Sequence, residues 1–158
     1  MSTKLPSRAT IGTVLSVIGA LFIAYVGVMY LLAPQSMAPD FGLPTWPQGE
    51  DAGFLAVKGI RDVASGLVII AVALTGNRRV LGWVMLATAL TPIGDMFIVL
   101  SSGGAPATAF GVHGATALAV LAAGALLLTG PRPQPRAAGD KASAAQQAAP
   151  LHVHPVGR

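Results

Sequence analysis

The stretch Lys58-Gly59-Ile60-Arg61-Asp62 places three charged residues inside a run, residues 53–76, that is otherwise almost wholly apolar. Charged side chains within hydrocarbon are rare and costly, and they usually face a protein interior or a water-filled cavity. If this run crosses a bilayer, the stretch marks a candidate functional site. The composition of the whole chain indicates whether such a run is expected to cross a bilayer.

The chain has 158 residues, of which 53% are hydrophobic and 10% are charged. Soluble domains carry roughly 25% charged residues, so a chain this poor in charge could hardly cover a water-soluble surface. The composition therefore predicts an integral membrane protein whose first partner is the lipid bilayer. The chain has no cysteine, which excludes disulfides, thiolate metal sites and thiol nucleophiles.

The net charge of +4 raises the question of nucleic-acid binding. Basic residues, however, stand singly or in pairs at the ends of apolar runs, and no basic stripe with interleaved aromatic residues is present. We therefore predict no nucleic-acid partner and interpret the basic residues as cytoplasmic flanks of membrane helices.

Four apolar runs predict the architecture, because a helix needs roughly 20 apolar residues to cross hydrocarbon. The first run is too long for the core of a signal peptide, which has about 7–15 residues. Pro92 is expected to kink the third helix near Thr88. The predicted fold is an all-α, four-helix membrane bundle over residues 10–129, preceded by a cytoplasmic segment 1–9. The predicted spans are about 10–32, 53–75, 80–100 and 106–128.

Two segments outside the spans have distinct compositions. Residues 33–52 contain four prolines, which exclude a regular helix. This loop is either a solvated connection with an interfacial Trp46, the preferred interpretation, or a cover over the outer mouth of the bundle. Residues 130–158 are rich in Pro, Ala and Gln, which predicts a disordered tail. The tail ends near His152 and His154, for which we predict no physiological metal role.

Charge is partitioned between the two ends of the predicted bundle. The end that holds both termini receives no acidic residue before the tail and eight basic residues, namely Lys4, Arg8, Arg78, Arg79, Arg132, Arg136, Lys141 and Arg158. The opposite end receives Asp40, Glu50 and Asp51 and no basic residue. The positive-inside rule therefore predicts a multi-pass protein of the cell membrane with both termini cytoplasmic.

The ionisable residues inside the spans agree in depth. With a rise of ~1.5 Å per residue, Lys58 lies ~8 Å and Asp62 ~14 Å from the outer end of the second span. Asp95 lies ~8 Å and His113 ~10 Å from the outer ends of their own spans. All of them fall in the outer half of the bilayer on three different helices, which predicts one polar intramembrane site.

The predicted ligand-binding residues of this site are Lys58, Arg61, Asp62, Asp95 and His113. Gly59, Gly66 and Gly114 are expected to leave room for a ligand, while Gly59 could also admit a neighbouring helix and Gly114 is among the small residues suited to close helix contact. Asp62, Asp95 and His113 are the candidate catalytic residues for proton transfer, while Lys58 or Arg61 would stabilise an anionic oxygen. The same two cations would compete with a metal for the carboxylates, so no metal is predicted.

Four segments carry a family resemblance. They are Phe41-Gly42-Leu43-Pro44, Val57-Lys58-Gly59-Ile60-Arg61-Asp62, Thr91-Pro92-Ile93-Gly94-Asp95 and Val112-His113-Gly114-Ala115-Thr116. Over roughly residues 10–128 the chain resembles the uncharacterised four-helix membrane family catalogued as domain of unknown function 4267. More distantly, it is similar to the DoxX-like small membrane proteins. The resemblance implies the fold and the site positions, and it implies no activity and no cofactor.

Two hypotheses of function follow. In the first, the polar site binds or converts a small lipophilic, quinone-like molecule that enters from the outer leaflet. In the second, the protein is a non-enzymatic membrane subunit or scaffold whose buried ion pairs are structural. A homo-oligomer is compatible with both, and a transporter, the third possibility, would require one because four spans are few for a single chain. No dinucleotide, P-loop or hydrolase motif is present.

Overall fold

The computed structural model describes residues 5–130, and these residues contain helices and no strands. The predicted tail and the His152/His154 pair lie outside the described residues. The long helices are α1 (Arg8–Leu32), α2 (Gly53–Leu74), α3 (Arg78–Ser101) and α4 (Pro106–Thr129). Residues 33–52 form a loop with three short helical turns, Pro34–Met37, Pro39–Phe41 and Gly49–Ala52.

Local sequence explains where the helices begin and where one of them breaks. Ser7 caps α1 by accepting a hydrogen bond from the Thr10 amide, and Asn77 caps α3 through the Val80 amide. Helix α3 is interrupted at Ala89, between its segments Arg78–Thr88 and Leu90–Ser101. Pro92 has no amide hydrogen to donate to the Thr88 carbonyl. The helix is therefore interrupted one residue from Thr88, the position at which the kink was expected.

The helices pack most closely where glycines allow it. Helix α1 lies along α2, and a Cβ atom on Gly27 would come within 2.6 Å of the Gly59 carbonyl oxygen. A Cβ atom on Gly66 would come equally close to the Ala20 carbonyl oxygen. Helix α4 packs against α1 and α3. The main apolar core lies near the end that holds the chain termini and consists of Ala20, Ile69, Leu81, Met85, Ala123 and Leu127.

The outer surface of the helices is strongly apolar. Large hydrophobic side chains such as Ile18, Phe22 and Leu118 are more than half exposed. Contiguous apolar surface of this extent marks contact with lipid or another protein. Helices α1, α3 and α4 are long and apolar enough to cross a membrane. Helix α2 has a comparable length of 22 residues but carries Lys58, Arg61 and Asp62, so the four-span bundle stays a prediction.

Candidate functional site

The centre of the candidate site is an ion pair within α2. The Lys58 Nζ atom lies 2.5 Å from the Asp62 Oδ2 atom, and the two residues are separated by one helical turn. Asp62 is buried, while Lys58 is partly exposed. A carboxylate held away from water is costly unless a cation neutralises it. Lys58 therefore compensates the charge that α2 buries against α1.

Two aromatic rings flank the Lys58 ammonium. Its Nζ atom lies 4.4 Å from the centroid of the Tyr30 ring and 5.4 Å from that of Phe41, both within the range of cation–π attraction. Tyr30 is buried at the end of α1, and its hydroxyl donates a hydrogen bond to the Met37 carbonyl. Three parts of the chain, namely α1, the loop and α2, thus meet around one ammonium group.

Phe41 also joins the loop to α4. Its carbonyl oxygen lies 2.9 Å from His113 Nε2, and the two rings contact each other with centroids 4.7 Å apart. His113 is buried within the π-helical turn Ala109–Gly114, a type of turn that is frequent at functional sites. Its other ring nitrogen, Nδ1, is 3.8 Å from Asp95 Oδ2 on α3, which is too long for a hydrogen bond.

A second hydrogen bond attaches the loop to the start of α4, at Gly42, the residue after Phe41. The Ala105 amide donates to the Gly42 carbonyl, and Gly42 has φ +92°. A Cβ atom on Gly42 would come within 2.7 Å of the Thr108 side chain, so both the conformation and the space favour glycine. The loop therefore covers this end of the helices. The preferred interpretation of the loop as a solvated connection was therefore wrong. The carbonyl oxygens of Phe41 and Gly42 attach the loop to His113 and to the Ala105 amide.

A pocket of about 270 Å³ lies beneath the loop, and we call it the loop-side pocket. Its walls are largely aromatic and aliphatic, and they come from the loop, α1, α2 and α3. The lining residues are Tyr30, Ala38, Phe41, Leu43, Trp46, Pro47, Phe54, Leu55, Lys58 and Ile98. The volume is just below the range of roughly 300–1,000 Å³ that is usual for ligand sites. It suits a single ring or a small head group.

The five predicted ligand-binding residues do not form one ionic cluster. Lys58 and Asp62 make one pair, and Asp95 approaches His113 as a second; the Phe41 ring contacts Lys58 and His113. Of the five, Lys58 alone lines the loop-side pocket. Arg61 is exposed on α2 and forms no ion pair within residues 5–130.

The expected room for a ligand beside Gly59 and Gly66 is absent, so that prediction was wrong, whereas the alternative of a neighbouring helix at Gly59 is confirmed. The backbone of α1 fills the space next to both glycines, at Gly27 and Ala20 respectively. Beside Gly114, an added Cβ atom would meet the Met96 sulfur at 3.3 Å. Gly59 and Gly66 therefore bring α1 and α2 together, as small residues do in membrane proteins, and the pocket beside Lys58 lies under the loop instead.

Sequence reasoning missed the contribution of Tyr30 to the site and the backbone contact of Phe41 with His113. Tyr30 is 3% exposed, and its ring contacts the Lys58 ammonium. Tyr30 lies two residues (~3 Å) before the end of α1, whereas Lys58 lies five residues (~8 Å) into α2, so depth alone did not bring the two together. Phe41 contacts His113 through its backbone carbonyl oxygen. The position of a backbone carbonyl cannot be predicted from a pattern of side chains.

The described part of the chain holds no group of three His, Asp or Glu residues arranged to bind a metal ion. The arrangement can instead present one ammonium group at the wall of an apolar pocket. An ammonium has three N–H donors. Asp62 accepts from one of them, and no other hydrogen bond from Lys58 Nζ occurs within the described residues.

Comparison with known proteins completes the description of the site. No curated protein and no solved structure matches the chain, so the distant DoxX-like resemblance stays a prediction. The family model described as a domain of unknown function (DUF4267) matches residues 20–127. The match covers more than half of the chain and includes Lys58, Asp62, Asp95 and His113. The chain therefore belongs to the DUF4267 family.

Proposed function

We propose that this protein is a four-span membrane protein that binds a small lipophilic molecule with an acceptor oxygen in the loop-side pocket. A quinone-like ring is the first class to test. The observation that carries the proposal is the Lys58 ammonium at the wall of an otherwise apolar pocket. The aromatic walls would stack on a ring, while Lys58 would donate to its carbonyl oxygen.

In this proposal α2 crosses the membrane with its charges turned toward protein. The described basic residues outside α2, Arg8, Arg78 and Arg79, lie at the end opposite the loop, whereas Asp40, Glu50 and Asp51 lie at the loop end. This distribution supports cytoplasmic termini and a loop-side pocket in the outer half of the cell membrane. The chain has no native cysteine, so Thr45→Cys should react with an impermeant thiol reagent from outside intact cells, and Ser7→Cys should not.

The two tryptophans provide a direct binding assay. Trp46 lines the loop-side pocket, while Trp83 lies exposed on α3 and outside it. We expect a short-chain benzoquinone to quench the fluorescence of the Trp83→Phe protein with a saturable curve. The Trp46→Phe protein, which retains Trp83, should show linear collisional quenching alone. Equal, non-saturable quenching of both proteins would refute binding in the pocket.

The role of Lys58 is tested with a neutral pair. In Lys58→Gln/Asp62→Asn, no unpaired charge remains buried, and the affinity for the benzoquinone should fall at least ~10-fold because a charge-assisted hydrogen bond contributes about 1.5–3 kcal/mol. Arg61→Gln removes one cation from the same helix outside the pocket lining, so it should leave the affinity unchanged. An unchanged affinity in the double variant would remove Lys58 from the binding site.

A second candidate function is supported by a different observation. Lys58 and His113 already contact protein acceptors, namely the Asp62 carboxylate and the Phe41 carbonyl. These contacts suit a non-enzymatic subunit or scaffold in which polar groups fix the helix packing. This alternative predicts that the neutral pair lowers stability in detergent while saturable quenching is absent from the wild-type protein too.

A further inference from the structure

A second cavity of about 290 Å³ lies at the opposite end of the helices, and we call it the termini-side groove. It is formed by the start of α1, the end of α2 and the start of α3. Its lining residues are Thr10, Thr13, Val14, Ala73, Gly76, Asn77, Arg78 and Leu81. None of them belongs to the loop-side pocket, so the groove does not depend on ligand binding there, although its position at the cytoplasmic side rests on the topology proposed above.

The lining changes from polar to apolar in the same direction on two helices. Thr10 precedes Val14 by one turn on α1, and Arg78 precedes Leu81 by about one turn on α3. On α2, which runs toward this end, apolar Ala73 lies about one turn deeper than Gly76. The groove is therefore polar at the end of the helices and mainly apolar ~5 Å further in, one helical turn, where the polar exception is Thr13, whose hydroxyl donates to the Ala9 carbonyl.

The polar end of the groove favours an anion. Arg78 is exposed, and no acidic partner for it occurs within residues 5–130. The described acidic residues, Asp40, Glu50, Asp51, Asp62 and Asp95, all lie toward the loop end of the molecule. Asn77 uses its Oδ1 atom to cap α3, which leaves its amide Nδ2 group as a further donor beside Arg78.

We infer that the termini-side groove binds an anionic phospholipid. The lipid phosphate would contact Arg78 and Asn77, and the beginning of an acyl chain would lie against Val14, Ala73 and Leu81. Basic pockets between helices at the cytoplasmic side are suited to anionic head groups. The apolar inner wall favours a lipid over free phosphate, because a soluble ion gains nothing from contact with aliphatic side chains.

The test measures lipid binding to the full chain in detergent by native mass spectrometry. Dioleoylphosphatidylglycerol is compared with dioleoylphosphatidylcholine, which carries the same acyl chains and no net charge. We expect the wild-type protein to bind the anionic lipid at least ~10-fold more tightly. Arg78→Gln should abolish most of this preference, whereas Arg79→Gln should retain it within ~2-fold, since Arg79 is the adjacent exposed cation and lies outside the groove lining.

A filling variant tests the apolar half separately. Val14 is about half exposed, so Val14→Trp can occupy the groove without entering the core. It should weaken binding of the anionic lipid and leave the unfolding midpoint in lipid-free detergent unchanged. Inorganic phosphate at millimolar concentration should not displace the lipid. If Arg78→Gln and Arg79→Gln lose the preference for the anionic lipid equally, the attraction is diffuse. If inorganic phosphate displaces the lipid, the groove is a simple anion site. Either result overturns the inference.

Discussion

The two halves of the molecule are held together by different interactions. Toward the chain termini, buried aliphatic side chains such as Leu81 and Met85 form a continuous apolar core. Toward the loop, the buried apolar cluster is smaller and consists of Tyr30, Ala38 and Leu55. There the segments are joined mainly by the contacts of Lys58 with the Tyr30 and Phe41 rings and by the contact of His113 with the Phe41 carbonyl.

This difference has a physical consequence for the site. Between membrane helices, apolar packing has no hydrophobic driving force, so close fit and hydrogen bonds must supply the stability. The termini-side half achieves close fit through small residues such as Gly82 and Gly124, which are buried against leucines. The loop-side half uses directional polar contacts around the loop-side pocket, whereas the cavity of the termini-side half is the groove at the ends of the helices. A binding site is therefore expected where packing is incomplete and charge is held in place.

The largest effect should come from breaking the loop-side ion pair. Lys58→Met leaves the buried Asp62 carboxylate without its cation, and we expect a loss of about 3–5 kcal/mol in the free energy of unfolding. Reversible unfolding in mixed micelles of dodecyl maltoside and sodium dodecyl sulfate measures it. Lys58→Met/Asp62→Leu removes both charges and should recover most of the loss. If the double variant is as unstable as the single one, the pair does not act through charge compensation.

A smaller loss is expected from the opposite half. Met85 is 1% exposed within the apolar core, and Met85→Ala creates a cavity. We expect a loss of about 2–4 kcal/mol in the same unfolding assay, from lost packing contacts. The folded fraction should keep saturable quenching of Trp46 by benzoquinone, because Met85 lies far along α3 from the loop-side pocket. Loss of quenching in folded protein would show that the halves are coupled.

Much of the helical structure was predictable from the sequence. The helices α1 to α4 begin and end within two residues of the four apolar runs, because apolar length and proline position act locally. The break near Thr88 followed from the chemistry of Pro92 alone. The rise per residue of a helix predicted similar depths for Lys58, Asp95 and His113. The distance of 3.8 Å between Asp95 Oδ2 and His113 Nδ1 agrees with that prediction.

The site itself was less predictable, for reasons that particular residues make clear. Helical rise gives depth and not the direction of a side chain, so Arg61 was grouped with Lys58 although it is exposed. The position of Phe41 depends on a backbone carbonyl and on the left-handed conformation of Gly42, and neither has a periodic pattern. Gly66 was assigned to a ligand, and Gly59 to a ligand or a helix, because composition cannot distinguish the approach of a helix from that of a small molecule.

The smallest predicted effect distinguishes the loop attachment from simple backbone strain. Gly42 and Gly49 both lie in the loop with positive φ, +92° and +58° respectively. Alanine at either position should cost about 1 kcal/mol or more through left-handed strain. At Gly49 an added Cβ atom meets nothing within 4 Å, whereas at Gly42 it collides with Thr108. Gly42→Ala should therefore also detach the loop from α4.

Hydrogen exchange of the Ala105 amide reports that detachment, because this amide donates to the Gly42 carbonyl. We expect its exchange to accelerate at least ~10-fold in Gly42→Ala, equivalent to about 1.4 kcal/mol of local opening, and to remain near the wild-type rate in Gly49→Ala. Weaker benzoquinone binding should accompany the faster exchange, since the loop supplies Phe41, Leu43 and Trp46 to the pocket. If both variants exchange alike, strain alone explains the loop. The loop-side half would then owe its closure to the Lys58 and His113 contacts rather than to the fit of Gly42 against Thr108.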